Sequence, residues 1–441
     1  MSDYMFILEN HLSVEQRAVL DLVQQAAAEA NLSLFLTGGA LRDMLGGFPI
    51  RDLDFTVEGP AVKFARDLAK KHGAEILSVD ELRKSVELRF PSGARCAITM
   101  AHTEKYTKPG ARPQVQPASI HDDLRCRDFT INAIALSLNR ASRGLLIDPT
   151  NGAGDIEQKE LRAVSPYSLY DDPVRLLRLI RFRTRFGYKV EEKTWQQFLN
   201  ARDAGVHRLI PPRQLFAELY QITQEPNPGD VIAALDQEGL LTLFSPALTG
   251  AKINLPAFQK LAKLKAMIPF GAPITIDWYA LVLYCLTEKL TPKERSALIS
   301  ATAMTKEEAA PWQKLPAAAK KLETAIKSPK LNRASQTWAI LSKAPGEQVL
   351  YLGLTSEHRL VQDRVKNFLS RCLAVAMEVT DAEVKEVSGL EPGHPKFQKA
   401  KQERIAAHLD GRVRKPAPPP EPEPPPQQPL RSPIVRGARF R

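Results

Sequence analysis

Apolar residues recur at every second position in several short stretches before residue 100, and at every third or fourth position beyond about residue 155. A chain that changes period in this way builds a sheet first and helices afterwards. "RDLDFTV", residues 51–57, is the clearest case. Leu53, Phe55 and Val57 face a core, and Asp52, Asp54 and Thr56 face the other way. Residues 34–37, 85–90 and 94–100 read as further strands. Ser13 followed by Gln16 predicts a capping box opening a helix that runs towards Asn31. Pro60 and Gly73 bracket an amphipathic helix carrying Phe64, Ala65 and Leu68. No convincing strand is expected between about 155 and 410, and there is no internal repeat. The fold class is α+β, with a mixed first domain and all-α domains after it.

With 441 residues, 44% of them hydrophobic, the chain can bury a sizeable core in two or more domains. Its net charge of +11 favours a polyanionic partner, nucleic acid first. Cys96, Cys126, Cys285 and Cys372 have neither paired spacing nor the density of a disulfide framework, which predicts a reducing compartment and argues against zinc. "MSDYMFILEN" does not read as a secretory signal, and no apolar run is long enough for a membrane span. A soluble cytoplasmic protein, with no membrane association and no obligate protein partner, is the expectation. The stretch 413–441, rich in proline and arginine, predicts a disordered tail of polyproline II character.

Four groups of residues carry chemistry. Asp52 and Asp54, about 6.6 Å apart by strand rise, can converge on shared cations, since magnesium takes one or two carboxylates together with substrate phosphates. A solvated strand face is the plainer account of such a pair. Gly38 and Gly39 stand at a strand-to-helix turn, where backbone N–H groups can hold a phosphate, or where a tight turn simply needs positive φ. Arg42 and Asp43 follow. In "RDFTINAIAL", Asp128 and Asn132, four apart, would share a helix face beside Arg127, or Asp128 would cap that helix. In "DDPVRLLRLIRFRTRFGY", Asp172, Arg175, Arg178 and Arg181 recur at intervals of three along one side of a helix. That side could present an acceptor and several donors to an anionic partner, or be a solvated basic face.

In order and spacing, "GGALRDMLGGFPIRDLDF", "DLRCRDFTINAIAL", "DPTNGAGDIEQKELRAV" and "DDPVRLLRLIRF" resemble the class II tRNA nucleotidyltransferase and bacterial poly(A) polymerase family, over about residues 30–250. The resemblance implies a nucleotidyltransferase-fold head over 1–155, a helical base-recognition neck over 156–225 and a helical body and tail that bind RNA over 226–412. It makes Asp52 and Asp54 the catalytic Mg²⁺ ligands, and sets Gly38, Gly39 and Arg42 against the triphosphate. Arg127, Asp128 and Asn132 would contact sugar and phosphates. Asp172 and Arg175 would read the incoming base, and Arg178 and Arg181 would continue that face towards the phosphates. Arg213 and Glu218 in "LIPPRQLFAEL" resemble a later motif that supports the base-reading helix.

The chain departs from the family pattern at four places. Ala97 stands where an aspartate is usual, His102 and Cys126 where arginines are, and Pro212 where Glu or Ser commonly precedes Arg213. These bear on a third acidic position and on part of the phosphate grip. "HDD", residues 121–123, lacks a further His and Asp at helical spacing and reads as a loop. The expected activity is template-independent addition of C and A to the 3′ end of tRNA from CTP and ATP. The alternatives are a CC-only, A-only or poly(A) polymerase, or a non-catalytic RNA-binding paralogue.

Overall fold

The structure, a computed structural model, describes residues 4–412; the tail expected to be disordered lies outside the described residues. Helices α1 (Tyr4–His11) and α2 (Val14–Glu29) lead into strand β1 (Ser33–Thr37), helix α3 (Gly39–Leu45), β2 (Leu53–Glu58) and α4 (Ala61–His72). Then come β3 (Glu75–Asp80), β4 (Ser85–Arg89), β5 (Arg95–Met100), β6 (His102–Lys105), β7 (Gln114–Pro117) and α5 (Ile120–Arg125). Strands β8 (Ala135–Ser137) and β9 (Leu146–Ile147) complete a sheet of order β3-β4-β5-β2-β1-β8-β9. Only the β2–β5 pair in it is parallel.

Strand β2 lies inside this sheet because both its edges are paired and its odd residues are core. Leu53, Phe55 and Val57 are all at most 1% exposed. Helix α4, ending at Gly73, covers that face with Phe64, Ala65 and Leu68. Each such large side chain contributes about 1.5–3 kcal/mol by leaving water. The Ser13–Gln16 capping box forms as expected, and the Gln16 amide donates on to the carbonyl of Ile50 at 3.1 Å. That bond ties α2 to the segment entering β2.

Beyond α6 (Gly152–Glu157) the chain is helical to Leu409, except for one two-residue parallel ladder between β10 (Glu160–Leu161) and β11 (Lys189–Val190). This corrects the expectation of no strand there: two residues are too few for a period to register. Around the ladder lie α7 (Ser168–Asp171), α8 (Val174–Phe186), α9 (Glu192–Asp203) and α10 (Pro212–Thr223). Among the described residues no helix is long and apolar enough to cross a membrane.

The segment holding Asp128 and Asn132 is not the helix that its spacing suggested. Residues 130–132 form a 3₁₀ turn that feeds β8, and "DPTNGAGDI" explains why. The Asp148 carboxylate accepts from the backbone N–H groups of Gly152 at 2.7 Å and Ala153 at 2.9 Å. This starts α6 with Gly152 pressed against Thr130; a Cβ built on Gly152 would lie 2.0 Å from the Thr130 carbonyl oxygen. Asp155 of α6 also accepts from the Thr130 hydroxyl at 2.6 Å. We predict that Gly152→Ala lowers unfolding stability by about 2 kcal/mol or more, measured by denaturant titration, while a Gly93→Ala control, where the added Cβ meets nothing within 4 Å but φ is positive, costs less.

Candidate active site

One cleft of about 1020 Å³ opens between the sheet, α8 and α10, and the twelve residues expected to meet metal or nucleotide all line it. At its floor Gly38 takes φ +66°, ψ −122° between β1 and α3, a conformation that glycine enters without strain. A Cβ on Gly38 or Gly39 would approach the outer Asp54 oxygen to 3.8 or 3.6 Å. The glycines therefore keep open the space beside that carboxylate.

Asp52 is exposed and Asp54 half-buried. Neither carboxylate receives a hydrogen bond or ion pair from the described residues. Burial and then the neighbouring Asp52 push Asp54 up to about 6, against the opposing pull of Arg127 and Arg42. Asp52 is also raised, mainly by burial. Two adjacent carboxylates short of positive partners are the donor set a hard divalent cation requires. Among the described residues no group of three or more His, Cys, Asp or Glu is placed to hold a metal, so the protein side of such a site is this pair.

The place where a third acid was expected is empty of charge. Ala97 on β5 is the register partner of Asp54, and Glu87 on β4 is the partner of Ala97. His102 is held by the Met100 carbonyl at 2.7 Å and lies 3.6 Å from both Glu104 and Asp123. Burial opposes its charge, but Glu104, the Met100 carbonyl and Asp123 together raise its pKa. Cys126 contributes its backbone, the carbonyl accepting from Arg175 at 3.0 Å.

Arg127 pairs with Asp123 at 2.6 Å and also reaches the Thr56 hydroxyl at 3.3 Å. Asp123 was passed over in the sequence because "HDD" read as a loop. It lies instead on α5, started by the Ser119 hydroxyl, and its four-residue spacing to Arg127 was the available signal. Asp128 and Asn132 do meet, at 2.9 Å, through the 3₁₀ turn. Burial would raise Asp128, yet Arg178 and Arg175, helped by the Asn132 and Phe129 donors, hold it below the usual carboxylate range.

Asp172, Arg175, Arg178 and Arg181 of the arginine-rich stretch have different surroundings. Asp172 precedes α8 in extended conformation, its acid raised by burial against the pull of Arg175, Arg178 and Arg83. Arg175 spends its two terminal nitrogens on the Ser168 hydroxyl and the Arg127 and Cys126 carbonyls. Its Nε is buried without a partner, 3.6 Å from Asp172. Arg178 is partly exposed and 2.9 Å from Asp128. Arg181 is buried between Glu218 at 2.6 Å and Glu225 at 2.8 Å, and so ties α8 to α10 and the turn after it.

Arg42 is likewise engaged internally. It donates to Asn132 at 2.7 Å and to Asp43 at 2.8 Å, and stacks on Phe182 and Phe186. Glu218 supports α8 as expected, whereas Arg213 turns away to pair with Glu308 at 2.8 Å.

The Asp54 environment generates a test on metal-free protein. A carboxyl raised from 3.8 to about 6 binds its proton more tightly folded than unfolded. Its ionisation therefore costs stability above pH 6, a cost relieved as pH falls towards 4. We predict that Asp54→Asn raises stability in chelator at pH 7.5 by about 1–3 kcal/mol, with the gain over wild type shrinking between pH 7 and 4.5 in thermal melts.

Residues 34–162 match the family described as the Poly A polymerase head domain. An A-adding tRNA nucleotidyltransferase of Halalkalibacterium halodurans is 35% identical over 238 residues, 53% of this chain and 56% of that one. A CC-adding tRNA nucleotidyltransferase of Deinococcus radiodurans is 32% identical over 302 residues, 67% of this chain and 76% of that one. The chain thus spans little more than half of the first relative's length. Among solved structures, an apo CCA-adding enzyme superposes with a TM-score of 0.56 at 24% identity, covering 94% of this chain and 96% of that one, which shows a common fold. Taken with the cleft and its motifs, these matches establish that the chain belongs to the class II tRNA nucleotidyltransferase family.

Proposed function

We propose that this protein adds C and A nucleotides to the 3′ end of tRNA from CTP and ATP, without a nucleic-acid template. The observation that carries the reading is the convergence in one cleft of an unneutralised carboxylate pair, a glycine turn beside it, and an acid–arginine pair at the start of α8. In the reaction the RNA 3′-oxygen bonds to the α-phosphorus, the bond to the β-phosphate bridge breaks, and pyrophosphate leaves with the hydroxyl proton lost to solvent. Asp52 and Asp54 would hold Mg²⁺, which would supply activation of that hydroxyl and neutralisation of developing charge. Arg127 and Arg178 keep donors towards the cleft for phosphate oxygens. The buried Arg42 and Arg181 set the walls. The four cysteines are unpaired, which fits work in a reducing cytoplasm.

Asp172 and Arg175 explain a two-letter alphabet. On the pairing edge, cytosine and adenine offer an amino donor beside a ring-nitrogen acceptor; guanine and uracil reverse that polarity. A carboxylate acceptor next to a guanidinium donor accepts C and A and opposes G and U. A bidentate contact of this kind discriminates by about 1–3 kcal/mol, and unpaired buried groups against the wrong base add a similar penalty. A narrower reading, CC-only or A-only addition, is favoured by the names of the two relatives, one an A-adding and the other a CC-adding enzyme. Labelled CTP and ATP, singly and together, on tRNAs ending before C74, after C75 or after A76 separate these readings.

Three outcomes are expected. Asp52→Ala and Asp54→Ala abolish incorporation of every nucleotide while tRNA affinity stays near wild type. That affinity itself drops about tenfold or more between ~50 and ~200 mM salt, because phosphate contacts release counterions. Asp172→Ala and Arg175→Ala lower C and A incorporation and relax rejection of U and G, read from single-nucleotide incorporation with all four triphosphates. Wild-type base ratios in both variants would make the α8 arginines a structural surface only.

A further inference from the structure

The part of the cleft lining that α10 supplies is chemically unlike the arginine-rich α8 beside it. From α10 the residues that line the cleft include Gln214, Ala217, Tyr220, Gln221 and Gln224. Amides and one ring face the cleft there, while the buried Glu218 on the same helix is consumed by Arg181. Tyr220 is 38% exposed, and its ring is held from behind. The Tyr279 ring lies 5.6 Å from it at an interplanar angle of 42°. Tyr279 is fixed in turn by its hydroxyl, which donates to the Glu308 carbonyl at 2.8 Å, and Glu308 starts its own helix while pairing with Arg213. Nearby on α10, the Gln214 side-chain oxygen is buried with no partner. A partly exposed ring, backed by a second ring and lining a cleft together with Gln221 and Gln224, is the equipment of a nucleobase platform.

We infer that Tyr220 stacks against the terminal base of the RNA primer, with the glutamines of α10 reaching base edges. The inference rests on the proposed function, in which the cleft must hold two nucleotides at once. Asp172 and Arg175 address the edge of the incoming one, which leaves α10 for the primer. The primer end changes identity as successive nucleotides are added, so its holder must tolerate any base. Stacking does so, because every base has a π-face. A charged wall would instead compete with α8 for the triphosphate. Tyr220 acts here as a positioning residue for the 3′-hydroxyl.

The test uses the full chain and a tRNA acceptor-stem minihelix carrying 2-aminopurine as its 3′-terminal base, a probe whose fluorescence is quenched by stacking. Wild type and Tyr220→Phe are expected to quench it on binding. Tyr220→Ala should leave it bright, weaken minihelix binding about tenfold, the scale of one base–aromatic stack, and raise KM for RNA with KM for CTP and ATP unchanged. Full quenching and unchanged RNA binding in Tyr220→Ala would overturn the platform, as would an effect confined to the triphosphate KM. If wild type neither binds nor extends the minihelix, the proposed function itself falls and the platform with it; the two failures are therefore distinguishable.

Discussion

The buried charge cluster that clasps α8 is the interaction on which the rest depends. Arg181 lies between Glu218 and Glu225, Arg185 between Asp43 and Glu225, and Arg42 between Asp43 and Asn132, with Phe182 and Phe186 stacked among the guanidinium planes. One arginine and one acid come from α3, two arginines from α8, and the glutamates from α10 and the turn after it. Buried charges are tolerable only when partners and donors are complete; removing one member of such a set costs about 3–5 kcal/mol because the other is left unpaired. The cluster therefore links sheet and helices by mutual neutralisation. Because three planar forks are fixed in one orientation, α8 presents Arg175 and Arg178 to the cleft, with Asp172 just before it, without freedom to rotate.

The contrast with Asp52 and Asp54 is instructive. In the same cleft as acids that are fully paired, these two carboxylates receive no hydrogen bond from the described residues, and Asp54 is held partly out of water beside a like charge. A sequence under selection for stability alone would neutralise that position. Its persistence makes sense if the missing positive charge arrives with a metal and substrate, so that the strain of the metal-free fold is relieved on loading.

Three of the four departures from the family pattern, Ala97, His102 and Cys126, line the cleft. Ala97 removes a side chain between Asp54 and Glu87, so three neighbouring strands present acid, methyl, acid across the sheet. His102 keeps a chargeable nitrogen 3.6 Å from Asp123 where an arginine is usual, and Glu104, the Met100 carbonyl and Asp123 raise its pKa against burial. Cys126 costs little, since what the structure uses at that position is a backbone carbonyl.

The sequence by itself determined what depends on local period and local chemistry. The alternation of 51–57 set which β2 residues are core and which carry carboxylates; the Ser13–Gln16 box, the Pro60–Gly73 bracket and the three-residue spacing of the α8 arginines placed helices and faces correctly. Each of these is read from residues a few positions apart, over which backbone geometry is nearly fixed. What only the tertiary structure decided is how each charged side chain is spent. Arg175, Arg178 and Arg181 look equivalent along the helix, yet one braces a loop, one faces the cleft and one is buried against Glu218 and Glu225, the latter 44 residues away. The 3₁₀ turn that joins Asp128 to Asn132 likewise depends on Gly152 packing on Thr130 from outside the segment. Pairing across such separations depends on which surfaces the fold brings together and leaves no periodic trace in the chain, so the chemistry of the residues was legible but their division of labour was not.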